Sequence, residues 1–76
     1  MPLINVKMIE GVFSNDQKER IVKDLTDAMV AIEGENLRPY TVVILDEVKS
    51  GSWAVGGQSF TTEAVNTVKA APVAVA

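Results

Sequence analysis

Cysteine and histidine are both absent from this chain of 76 residues. Their absence excludes disulfides, zinc sites built on Cys or His, thiolate nucleophiles and Ser-His-Asp triads. Aromatic residues make up only 5% of the sequence, and a domain of this size leaves roughly a third of its extended surface in water. Because such a core is marginal and these cross-links are absent, we expect the chain to gain stability by self-association.

Long apolar runs and positive charge are also scarce. The apolar runs extend over a few residues, whereas a helix needs roughly 20 to cross a bilayer, so we expect no membrane partner. The N-terminus has no basic segment followed by an apolar one, which favours a cytoplasmic protein. Ten acidic residues outnumber seven basic ones and give a net charge of -3, which argues against a nucleic-acid partner.

The first half of the chain predicts a strand followed by a long helix. Residues 3–9 alternate between an apolar face and a mixed face, as in a half-buried strand. Ser14 stands three residues before Gln17, the spacing of a capping box. Apolar residues then recur at steps of three and four, so we expect a helix from near Asn15 to near Glu33.

A second strand is predicted over residues 40–45, which are β-branched or apolar at both odd and even positions and therefore suit burial on both faces. Arg38 and Pro39 are expected to form an extended approach to it. The fold class is α/β, a single β-α-β unit with a parallel two-stranded sheet and a right-handed crossover. One helix covers only one face of this sheet, so we expect a second subunit to cover the other.

The C-terminal part predicts a short hairpin and a short helix. The Gly56-Gly57 pair suits the turn of a hairpin. Thr61 or Thr62 is expected to cap a helix that ends near Lys69. The residues expected to face inward from that helix are Ala64, Val65 and Val68.

The chain is expected to form a single domain over residues 1–76. Residues 70–76 carry no charge and no apolar period. We therefore expect them to be a frayed tail.

Pro2 is the first candidate for chemistry. If Met1 is removed, the first strand begins with a free secondary amine. An α-amino group has a pKa of about 7.7 to 8.0, and desolvation at a subunit interface lowers it towards the range of a general base. The alternative is that Pro2 is only the first residue of a strand, where proline is tolerated.

The ordered set of features resembles the 4-oxalocrotonate tautomerase family over roughly residues 2 to 60. The resemblance rests on four segments: Met1-Pro2-Leu3-Ile4, Glu10-Gly11, Gln17-Lys18 and Trp53-Ala54-Val55-Gly56-Gly57-Gln58. It implies a tautomerase-like oligomer, a hexamer in that family, that uses no cofactor and no metal. It also implies that Pro2 is the general base that moves a proton between carbons of an unsaturated 2-oxo acid.

The resemblance also implies a role for Trp53 and shows two departures. Trp53 falls on the aromatic residue that lines the family's pocket, although it equally suits a core or interface position. The family's two substrate-binding arginines are absent: Val12 or Phe13 stands at the first place, which suggests a more apolar mouth, and Val42 at the second. Arg38 is the best substitute anchor for a carboxylate, with a surface or intersubunit salt bridge as its alternative.

The favoured function is a cofactor-independent tautomerase or isomerase acting on a small 2-oxo or enol carboxylic acid. One alternative is a hydratase or dehalogenase acting on an unsaturated acid, in which Glu10, Asp46 or Glu47 activates water. The other is a non-catalytic subunit that pairs with a homologue supplying the arginines, or a small-ligand-binding oligomer.

Overall fold

The structure is a computed structural model that describes residues 1–72. Its elements follow the predicted order. A 3-10 helix that was not predicted precedes the second strand, and the predicted hairpin follows that strand. The elements are strand β1 (Leu3–Ile9), helix α1 (Asn15–Glu33), the 3-10 helix (Glu35–Tyr40), strands β2 (Val42–Val48), β3 (Trp53–Val55) and β4 (Gln58–Phe60), and helix α2 (Thr62–Ala70).

Helix α1 begins at the predicted capping box. The Ser14 side chain accepts a hydrogen bond from the Gln17 backbone N–H, and the Gln17 side chain accepts one from the Ser14 N–H. The helix ends where the Gly34 N–H donates to the Val30 carbonyl with Gly34 at a φ of 102°. Both predicted ends are confirmed, because local side-chain and glycine signals specify them.

Strands β1 and β2 are parallel and pair from Leu3 with Val42 to Ile9 with Val48. Helix α1 packs on one face of the pair. The most deeply buried residues of the described chain are Met8, Ile9 and Val30, and Met8 and Ile9, as neighbours in β1, point to opposite faces of the sheet. The opposite face is open in a single chain, where Leu3 is 60% exposed, Val42 43% and Ile44 41%. The prediction that β2 is buried on both faces is therefore not met within one chain.

The approach to β2 differs from the prediction. Arg38 and Pro39 lie in the 3-10 helix Glu35–Tyr40, so the predicted extended segment is wrong. The fixed φ of proline also fits a 3-10 turn, and the Thr41 N–H closes that turn on the Arg38 carbonyl. Strand β2 consequently begins two residues later than predicted and continues to Val48.

The Gly56-Gly57 hairpin is confirmed. Both glycines have positive φ, 58° and 81°, as a two-residue turn of the mirror-image type requires. Helix α2 is also confirmed, with Thr61 as its cap and Ala70 as its last residue. The predicted frayed tail therefore does not include Ala70, and residues 73–76 lie outside the described residues.

The orientation of α2 was predicted only in part. Val65 is half-buried, whereas Ala64 is exposed and Val68 is 71% exposed. The inward positions assigned to Ala64 and Val68 are wrong because a polar face of α2, described below, is the one that contacts the rest of the chain. Along residues 1–72, no helix is both long enough and apolar enough to cross a membrane.

Candidate active site

Pro2 lies at the amino end of the strand pair. Its carbonyl accepts a hydrogen bond from the Val42 N–H at 3.1 Å, which holds the residue at the edge of β2. Pro2 is half-buried, and the preceding Met1 is 88% exposed. Removal of Met1 would thus leave a secondary amine on a backbone already held in place by the sheet.

Arg38 lies at the same end of the sheet and is held by two carboxylates. Its Nε and Nη2 donate to the two carboxylate oxygens of Glu35 at 2.8 and 3.3 Å, and its Nη1 donates to Asp27 at 2.8 Å. Three of the five N–H donors of the guanidinium are therefore engaged within the chain. This is the salt-bridge alternative for Arg38, and its role as a substrate anchor stays a prediction.

The ion pairs around Arg38 change the pKa values of their members. The hydrogen bonds that Arg38 donates to Glu35 and then to Asp27 raise its pKa above the usual value. The pKa of Glu35 is lowered, chiefly by its hydrogen bond from Arg38. The pKa of Asp27 is lowered first by its hydrogen bond from Lys23 and then by that from Arg38. This end of the molecule is thus a charge-balanced network at neutral pH.

Trp53 lies at the other end of the strand pair, where it is half-buried between two open grooves. One groove, of about 240 Å³, separates it from α2 and the end of β4. The other, of about 250 Å³ and here called the Trp53 groove, lies against the end of β1. Its lining residues are Lys7, Met8, Ile9, Val12, Phe13, Trp53 and Val65.

The structure does not bring Pro2 and Trp53 together within one chain. Pro2 precedes β1, whereas Trp53 shares its groove with Met8 and Ile9 at the end of that strand. A seven-residue strand extends over about 23 Å. The sequence reasoning treated these residues as parts of one site, and a single chain separates them by the length of β1.

Apolar residues stand at the two places where the family has substrate-binding arginines, one at each end of the sheet. Val12 and Phe13 line the Trp53 groove, and the apolar mouth expected from them stays a prediction. Val42 follows the residues of the 3-10 helix and is 43% exposed beside Pro2.

The carboxylates considered for water activation all have partners. Glu10 accepts from the Ser50 N–H at 3.0 Å, Asp46 pairs with Lys7 at 2.6 Å, and Glu47 pairs with Lys18. Within residues 1–72, acidic residues do not gather in any group of three that could hold a metal ion. A further groove, of about 420 Å³, runs along α1 and is not lined by Pro2, Arg38 or Trp53. Its lining residues are Phe13, Gln17, Arg20, Ile21, Asp24 and Leu25.

The sequence reasoning missed the way α2 docks on the loop between β1 and α1. Three polar residues on one face of α2, at steps of four and three, donate to three successive backbone carbonyls of that loop. The pairs are Thr62 Oγ1 with Glu10 at 2.6 Å, Asn66 Nδ2 with Gly11 at 3.4 Å and Lys69 Nζ with Val12 at 2.7 Å. The polar stripe was readable in the sequence as a helical period, but its partners were not.

Comparison with known families gives a match over most of the chain. The family model described as "Tautomerase enzyme" matches residues 2–63. A probable tautomerase of Helicobacter pylori is 38% identical over 61 residues, which cover 78% of this chain and 88% of that protein. Probable tautomerase K2 of Dickeya dadantii is 34% identical over 61 residues, covering 80% and 90%.

Solved structures agree with the sequence comparisons. The crystal structure of DmpI from Helicobacter pylori superposes with a TM-score of 0.66 at 37% identity, covering 76% of this chain and 94% of that one. TomN, a 4-oxalocrotonate tautomerase homologue in the tomaymycin biosynthetic pathway, superposes with a TM-score of 0.68 at 29% identity and covers 95% of this chain. Most of α2 lies beyond the residues that the family model matches.

Proposed function

Because the chain belongs to the tautomerase family, we propose that it is a cofactor-independent keto-enol tautomerase of small 2-oxo or enol carboxylic acids with Pro2 as its general base. The observation that carries the proposal is the position of Pro2. It heads β1, its carbonyl is bonded to the Val42 N–H at 3.1 Å, and its ring is half-buried. A terminal amine at this place is positioned by the sheet rather than by a flexible end.

The proposed reaction needs only proton transfer. With Met1 removed, the Pro2 nitrogen takes the proton from the enol hydroxyl as the carbonyl forms. The resulting ammonium returns a proton to the neighbouring carbon, so the amine ends the cycle unchanged. A base whose pKa lies near the operating pH is most effective in this exchange, and desolvation lowers the pKa of an amine in that direction.

The proposed site lies between copies of the chain. Pro2 and Trp53 are separated by the length of β1, and Leu3, Val42 and Ile44 form an open apolar face on the sheet. Packing of two such faces or edges in opposite directions brings the Pro2 end of one copy towards the Trp53 groove of the next. We therefore propose a homo-oligomer, with six copies as the expected number, whose sites are shared between subunits.

Arg38 remains a proposed anchor for the acid at the Pro2 end. Two of its five N–H donors are not engaged by Glu35 or Asp27. A substrate carboxylate that bound there would join two carboxylates already in place, so we expect a contribution to KM smaller than that of an unpaired arginine.

Turnover with a blocked and an unblocked Pro2 tests the proposal directly. The chain is produced with a removable extension before Pro2, so that the same protein is assayed before and after a free proline is released. Phenylenolpyruvate serves as the probe, intact mass verifies the N-terminus, and sedimentation verifies the same assembly in both forms. We expect ketonisation to appear on release, with kcat/KM falling at low pH as the Pro2 nitrogen is protonated, at a pKa below the ordinary α-amino value.

Equal rates for the blocked and released forms would exclude Pro2 as the base. Absence of turnover in the released form, on this probe and on related enol acids, would favour a second function. That second function is a non-catalytic subunit completed by a homologous chain. The apolar Val12, Phe13 and Val42 favour it, since they leave two places without the expected arginines.

A further inference from the structure

The Lys and Arg side chains of residues 1–72 differ in whether they pair with a carboxylate. Five of the seven Lys and Arg side chains have a carboxylate partner within the chain, whereas Lys49 and Lys69 have none in this part of the chain. Lys49 follows β2 in an exposed turn, but Lys69 is held in a defined position. Lys69 is thus an ordered cation whose charge no described carboxylate balances.

Neutral electron-rich groups hold the Lys69 ammonium in place. Its Nζ donates to the Val12 carbonyl at 2.7 Å and to Gln17 Oε1 at 3.3 Å, and it lies 5.2 Å from the centre of the Phe13 ring. An ammonium has three donors, so these two hydrogen bonds leave one for a ligand. A carbonyl, an amide and an aromatic face orient the cation without cancelling its charge.

Two of the residues that hold this ammonium belong to the wall of the Trp53 groove. Val12 and Phe13, which hold Lys69, also line that groove, and Val65 lines it one turn earlier on α2. The groove has a volume of about 250 Å³, below the range typical of drug-sized ligands and therefore suited to a smaller molecule. Lys7, the lysine among the lining residues of the groove, is paired with Asp46 at 2.6 Å.

We propose that Lys69 binds the carboxylate of a small organic acid whose apolar part lies in the Trp53 groove between Trp53 and Phe13. The identification of that acid as the substrate rests on the proposed function. Lys69 lies outside residues 2–63 matched by the family model, so α2 supplies the cation from beyond the segment that the family model matches. Three hydrogen bonds from α2 to the loop between β1 and α1 fix its position.

A purely structural role is the competing explanation, because the same contacts tie α2 to the loop. Two variants separate the roles. Lys69→Met keeps much of the aliphatic stem and removes the charge, whereas Lys69→Arg keeps the charge and donors. Lys49→Met is the matched control, since it removes the other lysine that has no carboxylate partner in residues 1–72.

Binding is measured independently of turnover through the fluorescence of Trp53, the single tryptophan of the chain. The ligands are 3-phenylpropanoate and its uncharged amide, titrated into the assembled protein. We expect Lys69→Met to weaken carboxylate binding about five- to tenfold and to leave amide binding and the thermal midpoint close to wild type. Lys69→Arg should restore carboxylate binding, and Lys49→Met should leave it unchanged.

Equal carboxylate binding by wild type and Lys69→Met would overturn the proposal. So would an equal loss for acid and amide, which indicates a structural role, or absence of saturable quenching by the acid in wild type. Binding that depends on Lys69 in a protein that does not turn over phenylenolpyruvate would support the carboxylate site and count against the proposed tautomerase. With turnover present, Lys69→Met should raise KM and change kcat less than twofold.

Discussion

The two ends of the β1–β2 pair differ in how their charged and apolar groups are arranged. At the amino end, Arg38 is satisfied by Glu35 and Asp27 next to the half-buried Pro2. At the carboxyl end, Lys69 contacts only neutral groups beside an apolar groove walled by Trp53. One end offers a candidate base and the other a candidate ligand pocket, so neither is a complete site. The proposed function therefore relies on neighbouring copies of the chain to bring the two ends together.

The largest expected effect follows from changing the base at the amino end. For the Met1-free protein, Pro2→Ala replaces the ring nitrogen with a more flexible and more basic primary amine. We expect kcat/KM for phenylenolpyruvate to fall by about 100- to 10,000-fold, the range that a positioned general base contributes. Binding of 3-phenylpropanoate, which uses the opposite end, should be unchanged. A loss of both catalysis and binding would show that Pro2 also helps to bind the acid or to hold the assembly together.

The open sheet face links the two ends, and a charge placed on it should break the assembly. Ile44→Asp puts a carboxylate among Leu3 and Val42, and burial of an unpaired carboxylate costs several kcal/mol. In a single chain Ile44 is 41% exposed, so we expect a folded protein that sediments as a smaller species without tautomerase activity. Ile44→Val should retain the assembly.

The same substitution on the other side of the sheet provides a contrast. Leu25→Asp places the charge on the half-buried face of α1 and should unfold the chain itself, as judged by circular dichroism. If Ile44→Asp sediments like the wild type, the open face of β2 is not an interface and the shared site loses its basis.

The sequence predicted those parts of the fold that depend on short-range signals. Alternation in residues 3–9, the capping box at Ser14 and the Gly56-Gly57 pair each determine a local conformation, and the structure confirms all three. The parallel pairing also followed, because helix length and strand length agree. These features can be predicted without knowing which side chains are in contact in the folded chain.

The errors occur where distant groups decide the outcome. Pro39 is compatible with an extended segment and with a 3-10 helix, and the observed 3-10 helix is tied to α1 by the hydrogen bond from Arg38 to Asp27, eleven residues away. The position at which α2 docks depends on hydrogen bonds to the backbone carbonyls of residues 10–12. No side-chain pattern in the sequence identifies these carbonyls as its partners. The candidate site shows the same limit, since the partners of Arg38 and Lys69 become visible only when the chain is folded.

A glycine substitution measures how tightly α2 is seated at the carboxyl end. Gly11 has a φ of +76°, and a Cβ there would lie 2.9 Å from Thr62 Cγ2. Gly56 has a φ of +58° but open space around it. Each change to Ala destabilises the fold by about 1–2 kcal/mol through backbone strain. Any further destabilisation by Gly11→Ala, relative to Gly56→Ala, therefore comes from the contact with α2.

We expect Gly11→Ala to lower the free energy of unfolding by about 1 kcal/mol more than Gly56→Ala does, measured in urea at a fixed protein concentration. It should also weaken binding of 3-phenylpropanoate, because Lys69 moves with α2. Equal urea midpoints for the two variants would show that α2 adapts freely, and the fixed position assigned to Lys69 would then be in doubt.

The smallest expected effect concerns the ion pairs at the amino end. Arg38→Leu removes the main cause of the lowered pKa of Glu35, so that pKa should rise towards its usual value. The pKa of Asp27 should rise less, since its hydrogen bond from Lys23 is the larger cause. Carboxyl-carbon NMR titration measures both, and Lys23→Leu is the control that should shift Asp27 and leave Glu35 almost unchanged.

The sign of the accompanying stability change follows from the direction of these pKa shifts. Carboxylates with a lowered folded-state pKa stabilise the protein above their unfolded pKa, and that contribution disappears as the pH falls through the folded-state value. The electrostatic stability difference between wild type and Arg38→Leu should therefore be fully present at neutral pH and shrink in acid. A Glu35 that titrates identically in both proteins would mean that the guanidinium is not paired with it in solution, and Arg38 would then be available to hold an acid beside Pro2.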